Sequence, residues 1–454
     1  MNAKELESAF EQHGIRHVKV GGFDVDGILR GKYISLPKFW SALENPIGFC
    51  DVIFGWDVTD MLYDNARETG WHTGYPDTHA RIDPSTFRVL PWEPDTAAFL
   101  MDFVGEDGTA HPACPRGVWR RVLDRARTLG FRVSVGSEFE FFVFKETSHS
   151  LHAKGFRDLT PLSHGMFGYS WVREGQNADL CHAILDDFER FGIPIEGLHT
   201  ETGPGVYEVA IQYDVGLVAA DKAALFKTGM KQIAARLGYS VTFMAKHKAT
   251  LPGSSGHLHQ SLWKDGHNTF HDEGASDKLS ATARHYLGGQ IALMPELTAL
   301  VSPTINSYKR YVPGVWAPLN ASWGFENRTC AIRAIVGGGH GGAATRFEHR
   351  QPAADINPYL AMAATVAAGL WGIEQRIEPP PAAEGDASNR DREASAPLPR
   401  TLREATERLA GSRAAREMLG DEFVDHYVRT RDWECRQYEA AVTDWEVARY
   451  FETA

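Results

Sequence analysis

The chain has 454 residues, 43% of them hydrophobic and 23% charged, a balance that suits a soluble globular protein and excludes large-scale disorder. A formal net charge of -12 leaves no basic footprint for nucleic acid, while a local positive pocket for a phosphate ligand stays compatible with it. Cys50, Cys114, Cys181, Cys330 and Cys435 lack C-x-x-C spacing, so neither a zinc site nor a disulfide framework is expected.

The opening stretch, MNAKELESAFEQHGIRHVKV, reads as a polar amphipathic helix entering a strand, without the apolar core of a signal peptide. HVKVGGFDVDGILRGKYISL then alternates apolar positions around a D-V-D-G turn, as a hairpin does. RVLPWEPDTAAFLMDFV offers two further strands broken at W-x-P. These elements set off a small β-rich N-terminal domain, residues 1–108, from a larger domain, residues 109–454. CPRGVWRRVLDRARTLG predicts a helix with Pro115 in its first turn and Gly130 just past its end.

From there strands and helices alternate: FRVSVGSEFEFFVF, ADLCHAILDDFERFG, YEVAIQY, AALFKTGMKQIAARLG and SVTFMAKH. The flanking hairpin-like strands favour an α+β catalytic domain with an antiparallel sheet over a doubly wound parallel one. GGGHGGAA, residues 337–344, reads as a loop without the strand and helix context of a dinucleotide site. EPPPAAEGDASNRDREASAPLP, residues 378–399, reads as a polar, proline-rich linker or surface loop, followed by helices almost to the end. The longest apolar stretch, YLAMAATVAAGLWGI, is too short to span a membrane and is alanine-rich like a buried helix; a cytoplasmic location is expected.

Four stretches carry chemistry. In GSEFEFFVF a strand would turn Glu138 and Glu140 to one face, with Phe139, Phe141 and Val143 behind them. A solvated outer face is the plain reading of E-x-E, but Phe142 and Phe144 continue along the carboxylate side. A cleft wall holding a hard divalent cation accounts for both. HTETGPGVYEVAI adds Glu201 and Glu208 around a T-G-P-G turn, and GSSGHLHQSL places His257 and His259 on one strand face, as a metal pair or as packed imidazoles. Arg310, Arg328, Arg333, Arg346 and Arg350 fall in apolar, turn-rich sequence, with Glu348 between the last two. Surface ion pairs are the plain reading, and guanidinium forks for a polyanion the sharper one. Carboxylates and histidine for metal ions, with arginines for phosphates, are the parts of metal-assisted phosphoryl transfer.

The motifs GSEFEFF, ETGPGVYE, GSSGHLHQSL, NSYKRYVPG, NRTCAIR and RFEHRQPAADINPYLAMAA, in this order over nearly the whole chain, resemble the glutamine synthetase family of the bacterial class. The resemblance implies a small N-terminal β-grasp domain before the catalytic domain, and a homododecamer of two stacked hexameric rings. It implies one metal ion, Mg²⁺ or Mn²⁺, on Glu140, Glu201 and Glu208, and a second on Glu138, His257 and Glu348. By the same resemblance His259 and Ser261 contact ATP and Arg333 its phosphates. Arg310, Arg328 and Arg350 grip the glutamate carboxylate and the moving phosphoryl group, and Gly253 lies beside the amino acid. The implied reaction phosphorylates the γ-carboxylate of L-glutamate and then forms an amide.

Where ammonia-using members of that family read V-P-G-Y-E-A-P, this chain reads VPGVWAP, with Trp316 in place of the glutamate. An indole accepts no proton, and its face suits an alkyl or aryl amine. GFCDVIFGWD replaces the family's F-D-G-S-S, with Ile53 and Phe54 near the serine positions and either Asp51 or Asp57 as the matching aspartate. LPGSS and Val206 also depart from the family's pattern beside the glutamate site. The expectation is an ATP-dependent γ-glutamyl–amine ligase. The alternatives are ordinary glutamine synthesis from ammonia, or a catalytically silent structural or regulatory relative.

Overall fold

The computed structural model describes residues 1–337, 342–387 and 395–454, and within them the chain builds two sheets on one continuous apolar core. The first sheet is six-stranded: β1 (His17–Phe23), β2 (Leu29–Ile34), β3 (Ile47–Cys50), β4 (Asp77–Ile82), β5 (Arg88–Val89) and β6 (Thr96–Val104). Its order is β2-β1-β6-β4-β3, with β5 also on β6. The hairpin β1–β2 forms as its pattern predicts, around the turn that holds Asp24. Asp24 accepts from the backbone of Asp26 and Ile28, which closes that turn. The parallel pairing of β1 with β6 joins segments far apart in sequence.

The second sheet is nine-stranded: β7 (Arg132–Phe144), β8 (Ile195–Thr200), β9 (Val206–Val215), β10 (Ser240–Thr242), β11 (Gly256–Lys264), β12 (His267–Asn268), β13 (Trp323–Phe325), β14 (Ile332–Ile335) and β15 (Arg346–His349). Its main path runs β13-β14-β15-β11-β7-β9-β8, antiparallel except at β13–β14. The α+β reading holds. One face of β7 carries Phe139 and Phe141, which pack on Phe226 of the helix Gly216–Arg236 and on Phe243. On the other face Phe142 and Phe144 join Val206 in a separate apolar cluster beside His247, so the carboxylate side ends in packed rings.

The predicted helix after Cys114 spans Pro115–Thr128, and Gly130 beyond it has a φ of +82°. Two expectations need correction. SVTFMAKH pairs only through Ser240–Thr242, after which the chain leaves the sheet at Phe243. The segment from 378 is no free surface loop: Ala383 and Ala387 are buried with Cys330, Ala383 donates to Trp323 O, and the Trp323 indole donates to Pro380 O. Its alanines are small enough to lie flat on the sheet edge. Residues 388–394 of that segment and 338–341 of the glycine-rich stretch lie outside the described residues. Among the described residues no helix is long and apolar enough to cross a membrane, and no disulfide joins any of the five cysteines.

Candidate active site

Strand register assembles the site in three rows across one face of the second sheet. In the first row His199, Glu208 and Glu140 stand opposite one another on β8, β9 and β7. In the second, Ala210, Glu138 and His257 follow on β9, β7 and β11. In the third, Gly136, His259, Glu348 and Arg333 continue through β15 to β14. Residues two apart on a strand share a face, so Glu138 with Glu140, and His257 with His259, bring the rows together.

Two groups of ligand-type atoms result, each with its members within 4.8 Å of one another: Glu138, His259 and Glu348, and His199, Glu201 and Glu208. His257 also belongs to the first neighbourhood, its Nδ1 3.3 Å from Glu348 and 3.5 Å from Glu138. His259 Nε2 lies 3.1 Å from Glu138. Glu140 faces Glu208 across the ladder but turns one oxygen to the backbone N–H of Ser255 at 2.7 Å.

The sequence reading missed His199, whose Nε2 is 3.5 Å from Glu208. The H-T-E spacing that puts it on the face of Glu201 was the available signal. Its ring is stacked at 4.3 Å by Tyr169, an exposed side chain held at a φ of +52°.

The electrostatics are those of charge collected around a place for a cation. Burial and the Glu208 charge push the Glu140 carboxyl up to about 7. Burial works the same way on Glu138, yet His257 and His259 hold it well below the usual carboxylate range. Glu348 is lowered to about 2, against its burial, by His257, Arg350 and His259. His199 is raised, with Glu208 outweighing burial. Carboxylate oxygens and imidazole nitrogens converging within one coordination distance are the donor set of a hard divalent cation at each group.

Beside these groups lies a cavity of about 380 Å³, lined by Gly136, Glu138, His259, Ser261 and Arg346 among others. Ser261 and His259 thus line one cavity. Arg346 lines it and donates to His259 Nδ1 at 3.1 Å, whereas Arg333 is held by Glu348 and Glu326. Arg350 donates to Glu348, which therefore has a guanidinium on either side. Arg310 is buried and donates to Gln351 O. Gly253 packs on it so closely that a Cβ would come 2.6 Å from Arg310 Cγ. Arg328 is exposed and forms no ion pair among the described residues. Trp316 is 70% exposed, with Val312 and Val315 exposed beside it, so the flap stands away from the packed core. Of the two candidate aspartates, Asp57 is used up by Thr59 and Met61 of its own loop, while Asp51 keeps Oδ1 without a hydrogen bond among the described residues.

Residues 112–450 match the model of the glutamine synthetase catalytic domain. The chain belongs to the glutamine synthetase family. Membership and relatives together make it an ATP-dependent carbon–nitrogen ligase. It is similar to type-1 glutamine synthetase 2 of Dictyostelium discoideum, 47% identical over 96% of this chain and 83% of that one. It is likewise similar to the glutamate–isopropylamine ligase of Pseudomonas sp, 38% identical over 99% and 97%. A γ-glutamylethanolamide synthetase of Streptomyces coelicolor is 40% identical over 100% and 96%. The solved structure of a GmaS/ADP complex superposes with a TM-score of 0.84 at 28% identity, covering 98% of this chain and 99% of that one.

Proposed function

We propose that this glutamine synthetase family member joins the γ-carboxylate of L-glutamate to an organic amine, using ATP and forming γ-glutamyl phosphate on the way. The observation that carries the reading is the exposed Trp316 in a flap that has no carboxylate between Val312 and Pro318. Relatives named for isopropylamine and ethanolamide products, similar over almost the whole chain, support it.

ATP lies in the cavity of His259 and Ser261, with Arg346 facing its phosphates. Glu138, His257 or His259 and Glu348 would hold one divalent ion, Mg²⁺ or Mn²⁺, and Glu201, Glu208 and His199, with Glu140 alongside, would hold another; such ions would neutralise phosphate charge. Arg310, with Gly253 against it, binds the glutamate carboxylate, and Arg350 stabilises charge on the transferring phosphoryl group. A carboxylate oxygen takes the γ-phosphoryl group and ADP leaves. The amine nitrogen then attacks the acyl carbon, phosphate departs, and the nitrogen loses a proton. Arg333, tied to Glu348 and Glu326, stands beside that carboxylate as a further cation for the phosphates. We also infer a β-grasp domain over residues 1–108, on the strength of its parallel central pair β1–β6, and a cytoplasmic homododecamer in line with the family resemblance.

The test is phosphate release from ATP with Mg²⁺ and L-glutamate, comparing ammonium with alkylamines, ethanolamine, polyamines and anilines. Release confined to certain amines is expected. Preference for ammonium would favour the second reading, ordinary glutamine synthesis, for which the relative from Dictyostelium discoideum speaks. Silence with every nucleophile would overturn both in favour of a non-catalytic role.

A further inference from the structure

A second cavity, of about 260 Å³, has none of the metal-type groups in its lining and lies where the first sheet meets the helix Gly216–Arg236. Its floor is the backbone of Gly21 and Gly31, which face each other on β1 and β2. Leu29, Leu90, Leu100, Phe191, Leu225 and Trp92 give it apolar walls. Arg88 and Lys32 line it as well, and neither has a carboxylate within ion-pair distance among the described residues.

Arg88 is the unusual member. Its side chain is half-buried, with the guanidinium 5.9 Å from the centre of the Phe191 ring; burial lowers its affinity for its proton, and Asp221 and Asp214 offset this only through space, without an ion pair. Its Nη1 donates to Thr86 O at 3.1 Å, Nε is buried without a partner, and no side chain answers Nη2 among the described residues. A guanidinium with a buried, unpartnered Nε normally has a carboxylate in direct contact, because leaving that N–H unpaired away from water is costly. The nearby Lys19 shows the contrast: it lines the same cavity but is paired with Glu93, which also accepts from Tyr33 at 2.6 Å. Among the described residues Lys32 donates only to Gly48 O, at 3.3 Å, and it sits 4.7 Å from the centre of the Phe49 ring.

We infer that this junction cavity is a binding site for a small organic carboxylate with an apolar body, its acid group on Arg88 and its carbon skeleton against Trp92, Phe191 and Leu225. The volume accommodates on the order of ten non-hydrogen atoms. A guanidinium edge and an apolar wall select an acid over its amide, since only the charged group replaces the missing partner. The site is separate from the cavity of His259 and Ser261, and the helix behind it also carries Phe226, which packs under β7.

The experiment is a thermal-shift and calorimetric titration of the full chain, saturated with ATP analogue and L-glutamate so that the active site is filled. The probes are short aliphatic and aryl carboxylates, each paired with its uncharged amide. At least one carboxylate is expected to raise the unfolding temperature in a concentration-dependent way while its amide does not. Arg88→Gln is expected to weaken that binding at least tenfold and to leave ATP binding unchanged. Thr228→Phe, which narrows the cavity and leaves Arg88 in place, is expected to weaken it as well and guards against misfolding of the first variant. Equal binding of acid and amide, retention of binding in both variants, or no binding by any probe would overturn the proposal.

Discussion

Trp316 stands in an exposed flap, so replacing it tests chemistry with little disturbance of packing. Trp316→Glu restores an acid beside the arriving nucleophile, and the ratio of kcat/KM for ammonium to that for the best amine is expected to rise at least tenfold. An unchanged ratio would place the selection elsewhere. Gly253 makes the opposite kind of prediction. A Cβ there meets both Arg310 Cγ at 2.6 Å and Ala245 O at 2.7 Å, and the carbonyl cannot retreat. Gly253→Ala is therefore expected to push Arg310 out of place and to raise the KM for glutamate more than that for ATP. At this scale the sequence exposed most of the site: alternation put Glu138 with Glu140 and His257 with His259, and the structure keeps both pairs. It did not expose His199, because a single histidine acquires meaning only when β8 pairs with β9 and brings Glu208 opposite it. Nor could spacing assign the partners of the arginines. Arg346 and Arg333 differ in which cavity or carboxylate they reach, and that depends on sheet order.

The turn between Glu201 and Glu208 is where an element sets the site. Gly205 has a φ of +71°, and a Cβ on it would come 2.6 Å from Val143 O and 3.0 Å from Leu162 N. Its carbonyl meanwhile accepts from Val143 N at 2.8 Å, which ties the turn to β7. Gly205→Ala is expected to cost about 1–3 kcal/mol of stability, read from the urea midpoint, and to weaken Mn²⁺ binding because the two glutamates separate. Unchanged metal affinity would show that the turn does not position them. The strands bearing the motifs were legible from alternation. The shortness of β10 and the docking of Ala383 and Ala387 were not, since both depend on what the neighbouring surface offers.

Across the whole molecule, Arg116 joins the two sheets' territories. It is 2% exposed and bonds to Asp83 and Asp102 at the first sheet and to Asp221 on the helix Gly216–Arg236. Asp221 also accepts from Tyr359 at 2.6 Å. Arg116→Ala leaves the buried Asp221 with the Tyr359 hydroxyl in place of its guanidinium, while Asp83 and Asp102 keep Arg120, and a loss of about 3–5 kcal/mol in the unfolding free energy is expected. Acid should weaken the fold by a separate route. Burial lowers His111 to about 4 and His426 to about 3, against an ordinary value of 6.5. The unfolded chain takes up these protons below pH 6.5 and the folded chain does not, so their stabilisation is present above that pH and is lost as pH falls. Each contributes a slope of about 1.4 kcal/mol per pH unit. Denaturant titrations between pH 6 and 4.5 should show that slope reduced by the same amount in His426→Leu; an unaltered slope would mean the ring is already charged in the folded protein.

The placement of the flap has a consequence for how such a protein diverges. Glu348 is locked between two guanidiniums and buried in the sheet, so almost any replacement there disturbs the packing and charge of the candidate site together. Val312, Val315 and Trp316 are all exposed, and none belongs to the packed core. Mutations in those few positions can accumulate without a folding penalty, which lets a lineage explore new nitrogen donors while the phosphate chemistry is inherited unchanged.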